Sequence, residues 1–185
     1  GASAHLYEQH SEGQRRQHLR HVSGTLVHPE NGAALVLAGA PGETVTEGLD
    51  GLRERLAEYY ELGARFAKWR ATLSVGDRLP RRYCVRVNAQ ALARYAALCQ
   101  EAGIVPIVEP EVLMDGEHST HDIDECYRVT EWTLRTVFRE LYDARVSLEG
   151  MVLKPNMVIA GQKCAKQASA AEVAEKTVRC LKSTV

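Results

Sequence analysis

Three short stretches carry the side chains best suited to chemistry. Phe66-Ala67-Lys68-Trp69-Arg70-Ala71-Thr72-Leu73 alternates apolar residues with cations, Ile104 to Val108 leads into Glu109 and Glu111, and Met151-Val152-Leu153 leads into Lys154. Each reads as a β-strand, in which side chains alternate faces with period two. Lys68, Arg70 and Thr72 then share one face of the first. Val105, Ile107, Glu109 and Glu111 share a face of the second, and Val152, Lys154 and Asn156 a face of the third. A lysine that closes an apolar strand is expected to be buried, and burial disfavours its charged form. The neutral amine is the nucleophile that forms a Schiff base with a ketone or aldehyde. A second cation such as Lys68 pushes in the same direction, and a carboxyl group such as Glu109 can shuttle the protons of the carbinolamine. The plainer alternative is a salt-bridge network at the rim of a sheet.

These strands need elements to position them. They fall near residues 66, 105 and 149, about 40 residues apart, with helical patterns between. Thr44 and Glu47 have capping-box spacing, so a helix is expected over 46–62 with Gly63 as its C-terminal stop. A second is expected from Asn88, carrying Leu92, Tyr95, Ala96 and Cys99 and stopping at Gly103. A third is expected over 129–144 (Leu134, Val137, Phe138, Leu141), and a fourth from Ser169, boxed with Glu172 and burying Val173, Val178 and Leu181. Strand and helix alternating at this spacing imply right-handed βαβ units and a parallel sheet. Parallel α/β proteins place their sites at the C-terminal strand ends, where Lys68, Arg70, Glu109, Glu111 and Lys154 would converge.

Composition narrows the function classes. The chain has 185 residues, 23 basic and 24 acidic, with a formal net charge of −1. That balance disfavours a nucleic-acid binder, which wants a basic surplus. No apolar run approaches 18 residues, so no membrane span is expected, and Gly1 to His5 does not open a signal peptide. Cys84, Cys99, Cys126, Cys164 and Cys180 are odd in number and lack a CxxC, which reads as reduced thiols of a cytoplasmic protein. Residues 1–43 form a divergent segment, with a polar helix expected over 11–22 and a strand over 33–37; residues 44–185 hold the regular βα units. His5, His10, His18 and His21 lack partners spaced to complete a metal site, and read as surface residues.

Leu148 to Val158 (LEGMVLKPNMV) resembles the Schiff-base signature of class I fructose-bisphosphate aldolases. Ile104 to Glu111 (IVPIVEPE) and Met114 to His118 (MDGEH) resemble that family's glutamate strand and the loop after it. Phe66 to Arg70 (FAKWR) resembles its lysine strand, and Ala40 to Glu43 (APGE) the loop before the preceding helix. The resemblance runs in the family's order over about residues 38–185. It implies an α/β fold of the TIM (β/α)8-barrel family, here an incomplete barrel of three to four parallel strands.

The resemblance also implies roles. Lys154 would form the imine, Glu109 act as general acid/base, Glu111 support proton transfer, Lys68 assist with charge and substrate oxygens, and Arg70 bind a substrate phosphate. The reaction implied is reversible cleavage of fructose 1,6-bisphosphate to dihydroxyacetone phosphate and glyceraldehyde 3-phosphate. No cofactor or metal ion is required for it. The partner implied is a sugar phosphate, with a homo-oligomer for the complete protein. The family's first strand and its aspartate have no counterpart, and His28 to Gly32 stands in place of a lysine-bearing strand. Three residues are inserted between His118 and Cys126, read as a loop variation. A second reading is therefore an aldolase-derived fragment that is non-catalytic as it stands.

Overall fold

The computed structural model describes residues 26–27, 34–116 and 119–185. In chain order the elements are β1 (Leu26–Val27), β2 (Ala34–Val36), β3 (Thr44–Thr46), α1 (Leu52–Glu61), β4 (Phe66–Leu73), α2 (Arg82–Glu101), β5 (Val105–Val112), α3 (Ile123–Asp143), β6 (Val152–Leu153) and α4 (Ala170–Thr184). A 3-10 turn, Leu148–Gly150, precedes β6. One four-stranded sheet has the order β1-β4-β5-β6, every pair parallel. The expected parallel α/β arrangement is therefore present. β2 and β3 form a separate antiparallel pair, Ala34 opposite Thr46, which spans the expected 43/44 boundary.

Alternation decides which face is covered. Ala67, Trp69, Ala71 and Leu73 of β4, with Pro106, Val108, Pro110 and Val112 of β5, are buried. Leu52, Leu56 and Tyr59 of α1 and Leu92, Tyr95, Ala96 and Cys99 of α2 close over this face, joined by Val137 and Leu141 of α3. The Trp69 and Tyr95 rings stack at 5.4 Å between centroids. Each large side chain so buried contributes about 1.5–3 kcal/mol. A second cluster, with Leu73, Val85, Val112, Val129, Leu134 and Cys180, lies around the C-terminal strand ends.

Several element boundaries differ from expectation, each for a local reason. The Thr44–Glu47 capping box does not form: Thr44 to Thr46 is strand β3, and Thr46 Oγ1 donates to the Arg70 carbonyl at 2.6 Å. α1 begins only after Gly51, whose φ of 63° is in the left-handed region. α2 starts at Arg82 rather than Asn88, because Cys84 and Val85 are buried among exposed Arg82, Tyr83 and Arg86. Buried Glu43 stands in as its cap, taking the Arg81 N–H at 2.6 Å and the Arg81 guanidinium at 2.9 Å. α3 starts at Ile123 rather than at 129, capped by Asp122 accepting from Glu125 N, so the last residues of the expected 119–125 loop are helical.

The expected stops and the last cap do form. Gly63 (φ 101°) and Gly103 (φ 71°) end α1 and α2, and Ser169 caps α4 through Glu172 N. Within α4, Cys180 is buried but Val178 is 50% exposed, contrary to the expected inner stripe. The five cysteines are free thiols. No helix among the described residues is long and apolar enough to cross a membrane. The expected helix over 11–22 and the four N-terminal histidines lie outside the described residues.

Candidate active site

The opposite face of the sheet carries the charges. β4 and β5 pair over their whole length, placing Arg70 beside Glu109 and Thr72 beside Glu111, while β6 places Val152 beside Ile107. The Lys154 N–H bonds the Val108 carbonyl at 2.9 Å, which continues the ladder one step past β6. Lys154 is thereby level with Glu109. Its Nζ lies 2.5 Å from Glu109 Oε1, and Lys68 Nζ lies 3.3 Å from Glu109 Oε2. Arg70 Nε stands 3.9 Å from Glu109 Oε1 and 2.5 Å from Glu111 Oε2. All five expected residues thus share one space, with Glu109 at its centre and Glu111 reaching it through Arg70. The hydrogen bond from Arg70 to Glu111 holds the guanidinium above its ordinary pKa, against a smaller desolvation effect.

The exposures differ from one residue to the next. Glu109 is 4% exposed and Lys68 18%, but Lys154 is 58% exposed. The expectation that Lys154 is buried does not hold. The apolar run before it does not mark a buried strand, since Val152 itself is 44% exposed. What Lys154 has is a carboxylate partner rather than a dry pocket.

Two features that position these groups are not evident from residue type alone. In β5 the odd residues face β4: Val105 N donates to Arg65 O, and Leu113 N, just past the strand, to Leu73 O. The even residues face β6, and two of them are Pro106 and Pro110, which have no N–H to give. This explains why β5–β6 pairing spans only two residues. The next even donor, Val112 N, goes to the Asn156 side chain at 3.0 Å. Asn156 therefore leaves the expected Val152–Lys154 row. Its amide also donates to Thr130 Oγ1 of α3 at 3.0 Å and to Met157 O at 2.9 Å.

The second feature is Tyr95, whose hydroxyl donates to Ala67 O at 2.5 Å and accepts from Ile107 N at 3.2 Å. A phenol thus bridges β4 and β5 at Ala67 and Ile107, one residue before Lys68 and two before Glu109. Burial raises its pKa above the ordinary tyrosine value. The even-position prolines were the available signal for Asn156; Tyr95 gave none beyond its helical spacing.

No group of three or more His, Cys, Asp or Glu among the described residues is arranged to hold a metal ion. What the site can do chemically is nucleophilic attack by an amine, with a carboxyl group at hydrogen-bond distance to accept and return its protons.

Residues 5–185 match the family model described as fructose-bisphosphate aldolase class-I (glycolytic). A probable fructose-bisphosphate aldolase class 1 of Xanthomonas campestris is 65% identical over 149 residues, 80% of this chain and 44% of that protein. The cytosolic fructose-bisphosphate aldolase 6 of Arabidopsis thaliana is 48% identical over 182 residues, 97% of this chain and 49% of that protein. Among solved structures, the Plasmodium falciparum fructose-bisphosphate aldolase in complex with TRAP and a small-molecule inhibitor superposes with a TM-score of 0.79. It is 45% identical and covers 83% of this chain and 44% of its own. The chain thus spans about half the length of the curated relatives it matches.

Proposed function

Since the chain belongs to the class-I fructose-bisphosphate aldolase family, a family of (β/α)8 barrels, we propose that it carries the imine-forming centre of such an enzyme. The proposed reaction is reversible cleavage of fructose 1,6-bisphosphate. The observation that carries the reading is Glu109, nearly buried, with Lys154 Nζ on one carboxylate oxygen and Lys68 Nζ beside the other. Lys154 Nζ attacks the C2 ketone, and Glu109 first takes up the amine proton and then returns one as the carbinolamine loses water. The product is a protonated imine. Removal of the C4 hydroxyl proton, assigned to Glu109, releases the aldehyde fragment as the C3–C4 electron pair moves into an enamine on Lys154. Protonation at C3 and hydrolysis then free dihydroxyacetone phosphate and regenerate the amine.

Lys68 steadies the oxygen that develops charge, Arg70 contacts a phosphate, and Glu111 holds Arg70 in place and supports the proton transfers. The naming of the Arabidopsis relative as cytosolic and of a pea relative as cytoplasmic supports a cytoplasmic location. Borohydride reduction of the chain in dihydroxyacetone phosphate tests the assignment. The substrate mass is expected on the Lys154 peptide, and Lys154→Met abolishes it. Label on Lys68 with none on Lys154 overturns the reading.

A further inference from the structure

We propose that Asn156 is a positioning residue that holds Lys154 against Glu109 in place of the sheet ladder that β5 cannot supply; its chemical consequence rests on the imine reading above. Pro106 and Pro110 leave the β6-facing edge of β5 without two of its donors, so β6 is tied by two register pairs and the Lys154 N–H alone. A side chain borne on so short a strand has little to fix its direction. Asn156 stands two residues beyond Lys154 and ties that end of the strand from two sides. Its Oδ1 accepts the N–H of Val112, the last residue of β5, at 3.0 Å. Its Nδ2 donates to Thr130 Oγ1, a 2% exposed hydroxyl on α3, at 3.0 Å, and lies 3.8 Å from Cys126 Sγ.

The amide thus triangulates the chain after Lys154 between the strand that carries Glu109 and the helix behind it. Asparagine suits this place because it has both an acceptor and donors on one planar group; aspartate keeps only the first. The neighbouring Pro155 narrows the backbone's own freedom, and the side-chain amide adds the link nearest to Lys154 on its C-terminal side, ahead of the Val158 N–H bond to Thr177 Oγ1.

Two measurements on the full chain test this. Imine formation with dihydroxyacetone phosphate, trapped by borohydride and read by mass at Lys154, reports the chemical consequence. A shift of about 1 Å in a reacting group can cost about 10²-fold, so Asn156→Ala is expected to lower the saturating trapping rate at least tenfold. The half-saturating ketone concentration is expected to stay unchanged. Thr130→Val removes one of the same bonds, so it should show part of that loss, and the double variant should be no slower than Asn156→Ala.

Competitive acetylation without ketone reads the positioning alone. Lys154 modification, relative to the exposed Lys182, is expected to rise several-fold in Asn156→Ala and in Thr130→Val as Nζ leaves Glu109. If the unaltered chain traps nothing at Lys154, the imine reading falls, and the acetylation ratio still decides the positioning. Unchanged acetylation in both variants, with native circular dichroism, overturns it. So do losses in trapping that multiply in the double variant.

Discussion

Glu109, nearly buried, faces its two carboxylate oxygens toward different lysines, each of which supplies charge compensation. A buried group without such partners is found at His121, 3% exposed with neither ring nitrogen in hydrogen-bond geometry. Burial lowers its pKa, against smaller opposing effects from Glu125, the Ile159 backbone and Asp122. The unfolded chain returns it to about 6.5, so below that pH the unfolded state binds the extra proton. Its contribution is therefore full above about 6.5 and is lost as pH falls from there through the lowered folded value. Urea midpoints are expected to drop between pH 7.5 and 5.5, with a smaller drop in His121→Gln; equal drops would remove His121 as the cause. At this scale the meeting of Lys68, Glu109 and Lys154 was legible, because period-two alternation and parallel pairing leave few alternatives. The exposure of Lys154 was not, since an apolar run looks the same whether or not both faces are covered.

Among the elements, the clearest packing constraint is where the loop after β6 lies along the loop after β5. Gly161 N bonds His121 O, Gln162 N bonds Met114 O and Lys163 N bonds Ser119 O, at 2.8–2.9 Å. A Cβ on Gly161 would sit 2.1 Å from the Ser119 carbonyl oxygen, which is backbone and cannot swing aside. Gly161→Ala is expected to destabilise the chain by about 1–3 kcal/mol or more through overpacking. The loss should appear as a lower denaturant midpoint at unchanged slope, and an unaltered midpoint would contradict it. Long-range contacts of this kind also account for the boundaries the sequence pattern missed. Glu43 caps a helix 38 residues away, which no local motif signals. Thr44 and Thr46 spend their hydroxyls on β4 rather than on a helix start. Where the expected cap is local, as at Ser169, motif and structure agree; at Asp122 a local cap that was not expected starts α3 at Ile123 rather than at 129.

In the molecule as a whole, the site is assembled from parts of unequal persistence. β4 and β5 share an eight-residue ladder, buried on one face by three helices, and carry Lys68, Arg70, Glu109 and Glu111. Lys154 follows directly on a strand with two register pairs. Regions with few buried contacts and short ladders open at lower free energy than the rest. Partial unfolding should therefore detach the nucleophile while its acid/base partner stays seated, so chemical competence ends before the fold does. In a urea titration, adduct formation at Lys154 is expected to disappear at a lower concentration than the helical circular dichroism signal. Amide exchange should be faster at Leu153 and Lys154 than at Trp69 and Val108. Coincident transitions for the two signals would mean that β6 opens only with the whole chain.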